Sequence, residues 1–165
     1  MKTRVAIRAP MSSDARFFLA AVRRSRSLHR PWVAPPSTPK AFARYVERAA
    51  SEAHRGFLIV HRETGDLVGV INLNNVIRGA FQCAFLGYYG FLPYTRRGLM
   101  YEGMQLVLRH AFRKLKLHRL EANIQPGNRA SRALVQKCGF VREGFSPRYL
   151  KVLGRWKDHE RWAAA

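Results

Sequence analysis

The stretch from Cys83 to Leu115 constrains the chain most. A strand near 83–92 runs into the short loop Pro93–Arg97 and then, past Gly98, into a helix from about Leu99. Met104, Val107, Leu108, Ala111, Phe112 and Leu115 recur at helical spacing and give that helix one apolar face. A strand that feeds a helix through a tight turn leaves free backbone N–H groups at the helix start, where the helix dipole also favours an anion. Gly98 permits close approach of a ligand to the backbone, and Arg96 and Arg97 add positive charge at the same point. Alone, this pattern serves an ordinary strand–turn–helix unit as readily as a phosphate site.

The flanking segments set the fold class. Residues 4–9 read as a first strand, and Ser12 or Ser13 is placed to cap a helix over 14–23. The Arg-, Pro- and Ser-rich stretch 24–39 reads as a loop carrying Trp32, which either plugs the core or walls a binding site. Thr38-Pro39 starts a second helix, with Phe42, Tyr45, Val46 and Ala49 on one face and Gly56 at its end. Phe57–His61 and Leu67–Leu73 pair around the turn 63–66, and 74–82 connects to the strand near 83. After the apolar helix come a strand over Leu117–Ile124, a helix over 129–138 closed by Gly139, and a hairpin of Phe140–Leu150 with Trp156–Trp162 about Gly154. That order predicts an α/β (α+β) layered fold with a mixed sheet, in a single domain over 1–165.

Composition limits the function classes. With 165 residues and 47% hydrophobic content, the chain can bury a core of its own. Met1–Pro10 lacks a signal-type apolar stretch and no run nears the roughly 18 residues of a spanning helix, so a cytoplasmic protein with no membrane partner is expected. Cys83 and Cys138 are expected as thiols, and no Cys/His spacing suggests a metal. The formal charge of +20 is spread along both halves. Such a surface suits a polyanion, whether RNA, a ribosome or cofactor phosphates, or else is simply solvated. No helix-turn-helix, zinc-finger or RNP-type motif accompanies it.

Further motifs bring these parts together. Gly87-Tyr88-Tyr89 and Tyr94-Thr95-Arg96-Arg97-Gly98-Leu99-Met100 are followed by His118-Arg119-Leu120-Glu121-Ala122-Asn123. Then come Pro126-Gly127-Asn128-Arg129-Ala130-Ser131, Lys137-Cys138-Gly139-Phe140-Val141-Arg142-Glu143-Gly144 and Gly154-Arg155-Trp156-Lys157-Asp158-His159. In order and spacing this resembles the GNAT acetyltransferases, and among them the ribosomal-protein alanine N-acetyltransferase group. Arg30-Pro31-Trp32-Val33 resembles that group's early substrate-side loop.

The resemblance implies a GNAT fold: a central mixed, splayed sheet flanked by helices, with acetyl-CoA lodged in the gap and no metal. Thr95, Gly98 and Met100 occupy the family's pyrophosphate-loop positions. Thr95 replaces the usual Gln or Arg, and Arg96 stands where Gly is common. Arg96, Arg97, Gly98, Leu99, Met100, Asn128 and Arg132 are therefore expected to contact the cofactor, with Arg129 a further candidate. Around Gly90, Phe91 and Leu92 a bulge is expected to turn amides toward the thioester carbonyl. Trp32 and Tyr88 fall on the acceptor side.

For proton transfer, Glu121 is the expected base, while Glu102 suits the helix dipole better. The tyrosine that many relatives carry on the second helix is Val135 here, which leaves Ser131 either to protonate the leaving thiolate, to bind the cofactor or to bond the helix backbone. His118 and His159 receive no catalytic role. The expected reaction is direct acetyl transfer from acetyl-CoA to a primary amine, first of all a protein N-terminus. A small-amine acetyltransferase and a weakly catalytic acyl-CoA- or RNA-binding module are the alternatives.

Overall fold

The computed structural model describes residues 3–165. β1 (Val5–Arg8) is followed by α1 (Ala15–Arg24), α2 (Arg26–His29) and α3 (Pro39–Ala49). β2 (Arg55–His61), β3 (Leu67–Ile77) and β4 (Cys83–Gly90) lead into α4 (Leu99–Arg113). β5 (Arg119–Ile124), α5 (Arg129–Lys137), β6 (Val141–Val152) and β7 (Arg155–Ala164) complete the chain. The strands form one mixed seven-stranded sheet in the order β1-β2-β3-β4-β5-β7-β6. No helix among the described residues is long and apolar enough to cross a membrane.

Local chemistry explains most boundaries. Thr38 Oγ1 accepts from the Ala41 amide at 3.1 Å, and Pro39 fills the first turn of α3 where its missing N–H costs nothing. Gly139, at φ +88°, closes α5 in the left-handed conformation. Leu153 and Gly154 both have positive φ, and they join β6 to β7 as a two-residue hairpin turn.

Four expectations need correction. Neither Ser12 nor Ser13 caps α1; the Asp14 carboxylate takes the Met11 amide at 2.8 Å and is held by Arg8. The stretch 24–39 is not all loop, because α2 forms within it. Gly56 lies inside β2 and does not end a helix. A Cβ there would sit 2.6 Å from the Ala49 Cβ and 2.8 Å from the Tyr45 hydroxyl, so the glycine lets α3 press on the sheet. β3 runs on to Ile77, into the stretch expected as a connector.

Two apolar clusters lie on the sheet. One packs α4 and α5 against it through Met104, Val107, Ala111 and Val135. The other packs α1 and α3 through Phe18, Val22 and Phe42, with Phe91 edge-on to Phe18 at 5.7 Å.

The pairing of β4 positions everything that follows. Against β3 it pairs antiparallel along its whole length, from Gly69↔Gly90 to Ile77↔Cys83. Against β5 it pairs parallel only from Cys83↔Arg119 to Leu86↔Ala122. β5 turns instead to β7, from Leu120↔Ala164 to Ile124↔Glu160. Beyond Leu86 the sheet splits into a V.

Candidate active site

Which amides face the V follows from strand alternation. The Phe91 N–H donates to Val68 O at 2.8 Å, so residues at even steps from Phe91 along β4 bond β3. The intervening residues, Tyr88 and Gly90, therefore turn their amides to the other side, where β5 has departed. The expectation centred this role around Gly90, Phe91 and Leu92; Gly90 fits the alternation, while Phe91 and Leu92 do not. The Phe91 amide is spent on β3, its ring is fully buried, and the Leu92 amide donates to Ser25 Oγ at 2.9 Å.

A clamp from the α1–α2 junction fixes this strand end. Arg24 Nε donates to Leu92 O at 2.8 Å, Ser25 Oγ holds the Leu92 amide, and His29 Nε2 meets Gly90 O at 2.8 Å. A carbonyl only accepts, so Nε2 carries the proton and the buried Nδ1 is left with a lone pair and no partner among the described residues. Burial holds the His29 pKa below 6.5, against the opposing pull of Gly90 O. In the folded protein the ring therefore stays neutral to lower pH than in the unfolded chain. Its contribution is complete above about 6.5 and is lost as pH falls toward the folded value. His54 and His110 are lowered too, again by burial first, and act in the same direction. Denaturant melts should show stability falling on acidification from about pH 6.5, and His29→Gln should flatten part of that slope. A slope unchanged by the substitution would remove His29 from the account.

The loop after β4 closes the narrow side. Gly98 has φ +75° and Arg96 φ +61°, both in the left-handed region that favours glycine. The first intrahelical bond of α4 runs from the Glu102 amide to Gly98 O at 3.1 Å, so the amides of Leu99, Met100 and Tyr101 have no backbone partner among the described residues. Glu102 braces the loop: it takes Arg4 Nε and the Arg4 amide, both at 2.7 Å, while Arg4 Nη2 donates to Arg97 O. The Arg97 guanidinium lies 5.6 Å over the Tyr94 ring and does not line the V. Arg96 does line it, as does Lys137 of α5, whose Nζ sits 4.6 Å from the Tyr101 ring centre. Nothing in the sequence pattern set Lys137 apart from many other cations.

The opposite wall comes from β5, α5 and β7. Asn128 caps α5, its Oδ1 accepting the Ser131 amide at 3.2 Å. The Tyr88 hydroxyl and Ser131 Oγ are 2.6 Å apart. Burial pushes the Tyr88 phenol well above its usual range, with Ser131 partly opposing, so it stays a proton donor at neutral pH. This hydroxyl reaches α5 from the sheet, where Val135 had left the expected tyrosine missing.

Arg132 is corrected. It pairs with the buried Glu160 at 3.0 Å, donates to Pro126 O, and does not line the V. Glu121 is also outside: it pairs with Arg119 at 2.7 Å, and Arg119 bonds Glu143 as well. Two residues on, Asn123 lines the V with a buried Oδ1 that has no partner among the described residues. Buried His159 lines it too. Its Nδ1 donates to Lys157 O at 2.8 Å, so the ring nitrogen left over is Nε2, an acceptor with no hydrogen bond among the described residues.

Trp32 walls the mouth. Its ring packs against Gly127, where a Cβ would come within 3.3 Å. Gly98, Leu99 and Met100 line the V together with Tyr88, Asn128 and Ser131. The cleft encloses ≈ 600 Å³. It offers apolar walls, free amides and two cations at one side, and hydroxyls at its depth, which suits a long ligand with a phosphate end and a reactive acyl end. Both cysteines are free thiols, and burial raises the Cys138 pKa to about 11.

A family model described as an acetyltransferase (GNAT) domain matches residues 4–141. The probable N-acetyltransferase YjcK of Bacillus subtilis is 37% identical over 121 residues, covering 73% of this chain and 67% of that protein. The ribosomal protein uS5-alanine N-acetyltransferase of Escherichia coli is 37% identical over 94 residues, 57% of this chain but only 48% of that enzyme. Among solved structures, Mycobacterium smegmatis RimJ in complex with CoA-disulfide superposes with a TM-score of 0.88 at 28% identity, covering 97% of this chain and 81% of that one.

Proposed function

The chain belongs to the GNAT family of acetyl-CoA-dependent N-acetyltransferases, and we propose that its acceptor is the N-terminal α-amine of a protein. The observation that carries the reading is the V beyond Leu86, with unspent amides on both of its near edges. The uS5-alanine N-acetyltransferase of Escherichia coli supports a protein acceptor, and RimJ in complex with CoA-disulfide supports the cofactor.

Acetyl-CoA supplies an activated thioester. Amides at the start of α4, with Arg96 and Lys137, hold its phosphates. The Tyr88 and Gly90 amides face the edge where charge develops on the thioester carbonyl. Donors fixed in advance at such a place lower a barrier by roughly 3–4 kcal/mol. The coupled Tyr88 and Ser131 hydroxyls supply a proton to the departing sulfur. An α-amine, with a pKa of roughly 8, is partly neutral at physiological pH, and His159 Nε2 takes the proton it sheds, directly or through water. Glu121 has no part in this scheme because its carboxylate is occupied by Arg119. The basic surface then serves docking on a polyanionic particle such as the ribosome.

The test is thiol release from acetyl-CoA with peptides bearing a free N-terminus, with mass spectrometry locating the acetyl group on the α-amine. Release with small amines but with no peptide would overturn the acceptor assignment.

A further inference from the structure

A second cavity, ≈ 560 Å³, lies on the α1/α3 face of the sheet beneath the Val33–Ser37 segment. It shares Val33, Gly87, Tyr88 and Tyr89 with the cofactor cleft, so the two spaces meet across the backbone of β4. Its outer wall is α3, which presents Arg44 and Arg48 one turn apart on the same face.

The charges in this cavity are not balanced by the protein. Elsewhere the scarce carboxylates are matched to arginines: Asp14 to Arg8, Glu102 to Arg4, Glu121 to Arg119 and Glu160 to Arg132. No Asp or Glu lines this cavity. Arg44 has no hydrogen bond or ion pair among the described residues. Arg48 makes only a long bond of 3.4 Å to Asn74 Oδ1 and a 3.5 Å approach to His54. The Tyr89 hydroxyl, at the shared wall, is buried and has no hydrogen-bond partner among the described residues. Burial holds it protonated, so it is a donor without an acceptor.

Two arginines that no carboxylate neutralises and one phenol without an acceptor, around one cavity next to the reaction centre, call for an anion. We propose that this cavity receives the acceptor chain just beyond its reacting amine, and that Arg44 and Arg48 select acceptors with a side-chain carboxylate in those positions. This rests on the N-terminal acceptor reading and narrows it to acidic N-termini. The same charges repel a polycationic amine.

Three peptides, identical except for Glu, Gln or Lys in the residues after the first, test this by steady-state kinetics. The Glu peptide should exceed the Gln peptide by about tenfold in kcat/KM, chiefly through KM, with the Lys peptide lower again. Both arginines are exposed, so the fold does not depend on them. The double variant Arg44→Glu/Arg48→Glu should reverse the order, and Arg44→Gln/Arg48→Gln should level it. Equal turnover of all three peptides by the unaltered protein would sink the anion site and leave N-terminal acetylation standing. Turnover of none, with small amines acetylated, would remove both.

Discussion

Replacing His159 with glutamine is expected to lower kcat/KM by about 100-fold, the usual range for losing a positioned general base. The argument is one of nitrogen accounting. Nδ1 is fixed as a donor by Lys157 O, which leaves Nε2 as the acceptor of a buried ring that lines the cleft. Glutamine keeps similar bulk but offers no basic nitrogen. The loss should shrink with acceptors of lower amine pKa, because they arrive already neutral. Glu121→Gln is the companion measurement and should stay within about twofold of the unaltered enzyme, since it touches only a pair with a half-buried arginine. If the two variants exchange these outcomes, the base is Glu121 and the proposed proton route is wrong.

Gly69→Ala should be the most damaging small change in the sheet. A Cβ on Gly69 would overlap Met100 Sδ and sit 2.7 Å from Tyr89 O and 3.1 Å from Gly90 Cα. The sulfur belongs to a flexible side chain and moves aside at modest cost. The other two atoms are backbone of the strand that carries the reactive amides. Overpacking of this kind costs about 2–3 kcal/mol. A melting temperature lower by roughly 5–10 °C is expected for a chain of this size. Because the displaced atoms are Met100 and the end of β4, KM for acetyl-CoA should rise as well. A variant with unchanged melting and unchanged KM would show that the sheet and α4 have slack at this point.

Much of this was legible in the residues. The strand, Gly98 and amphipathic helix unit was readable because periodicity and a single glycine specify it locally. Asn128, Ser131, Trp32 and Arg96 were found because their spacing matches a family pattern, and all four line the cleft. What escaped depended on contacts across the fold. Arg132 and Arg97 look like phosphate ligands in sequence, but Glu160 and the Tyr94 ring claim them. Of the expected amides around Gly90, Phe91 and Leu92, only Gly90 faces the cleft, and Tyr88 joins it; that is a matter of strand register, which one residue reverses. The His29, Ser25 and Arg24 clamp arises from a stretch whose composition suggests a loop. Lys137 opens one of the matching motifs, but nothing local marked its side chain as a cleft cation.

The V has one more consequence. β4 and β5 are stitched over only four residue pairs, from Cys83 to Leu86, and part from each other from there to Gly90, with β3 alone still paired to β4. At about 3.3 Å per residue, the working tip stands roughly 13 Å past the last stitch. It behaves as the jaw of a pair of pliers whose rivet is the Cys83–Leu86 seam. A tilt of a few degrees at that rivet, from a repacked Cys83 or a disturbed Arg119, would reappear as most of an ångström at the jaw, far from any residue that touches substrate.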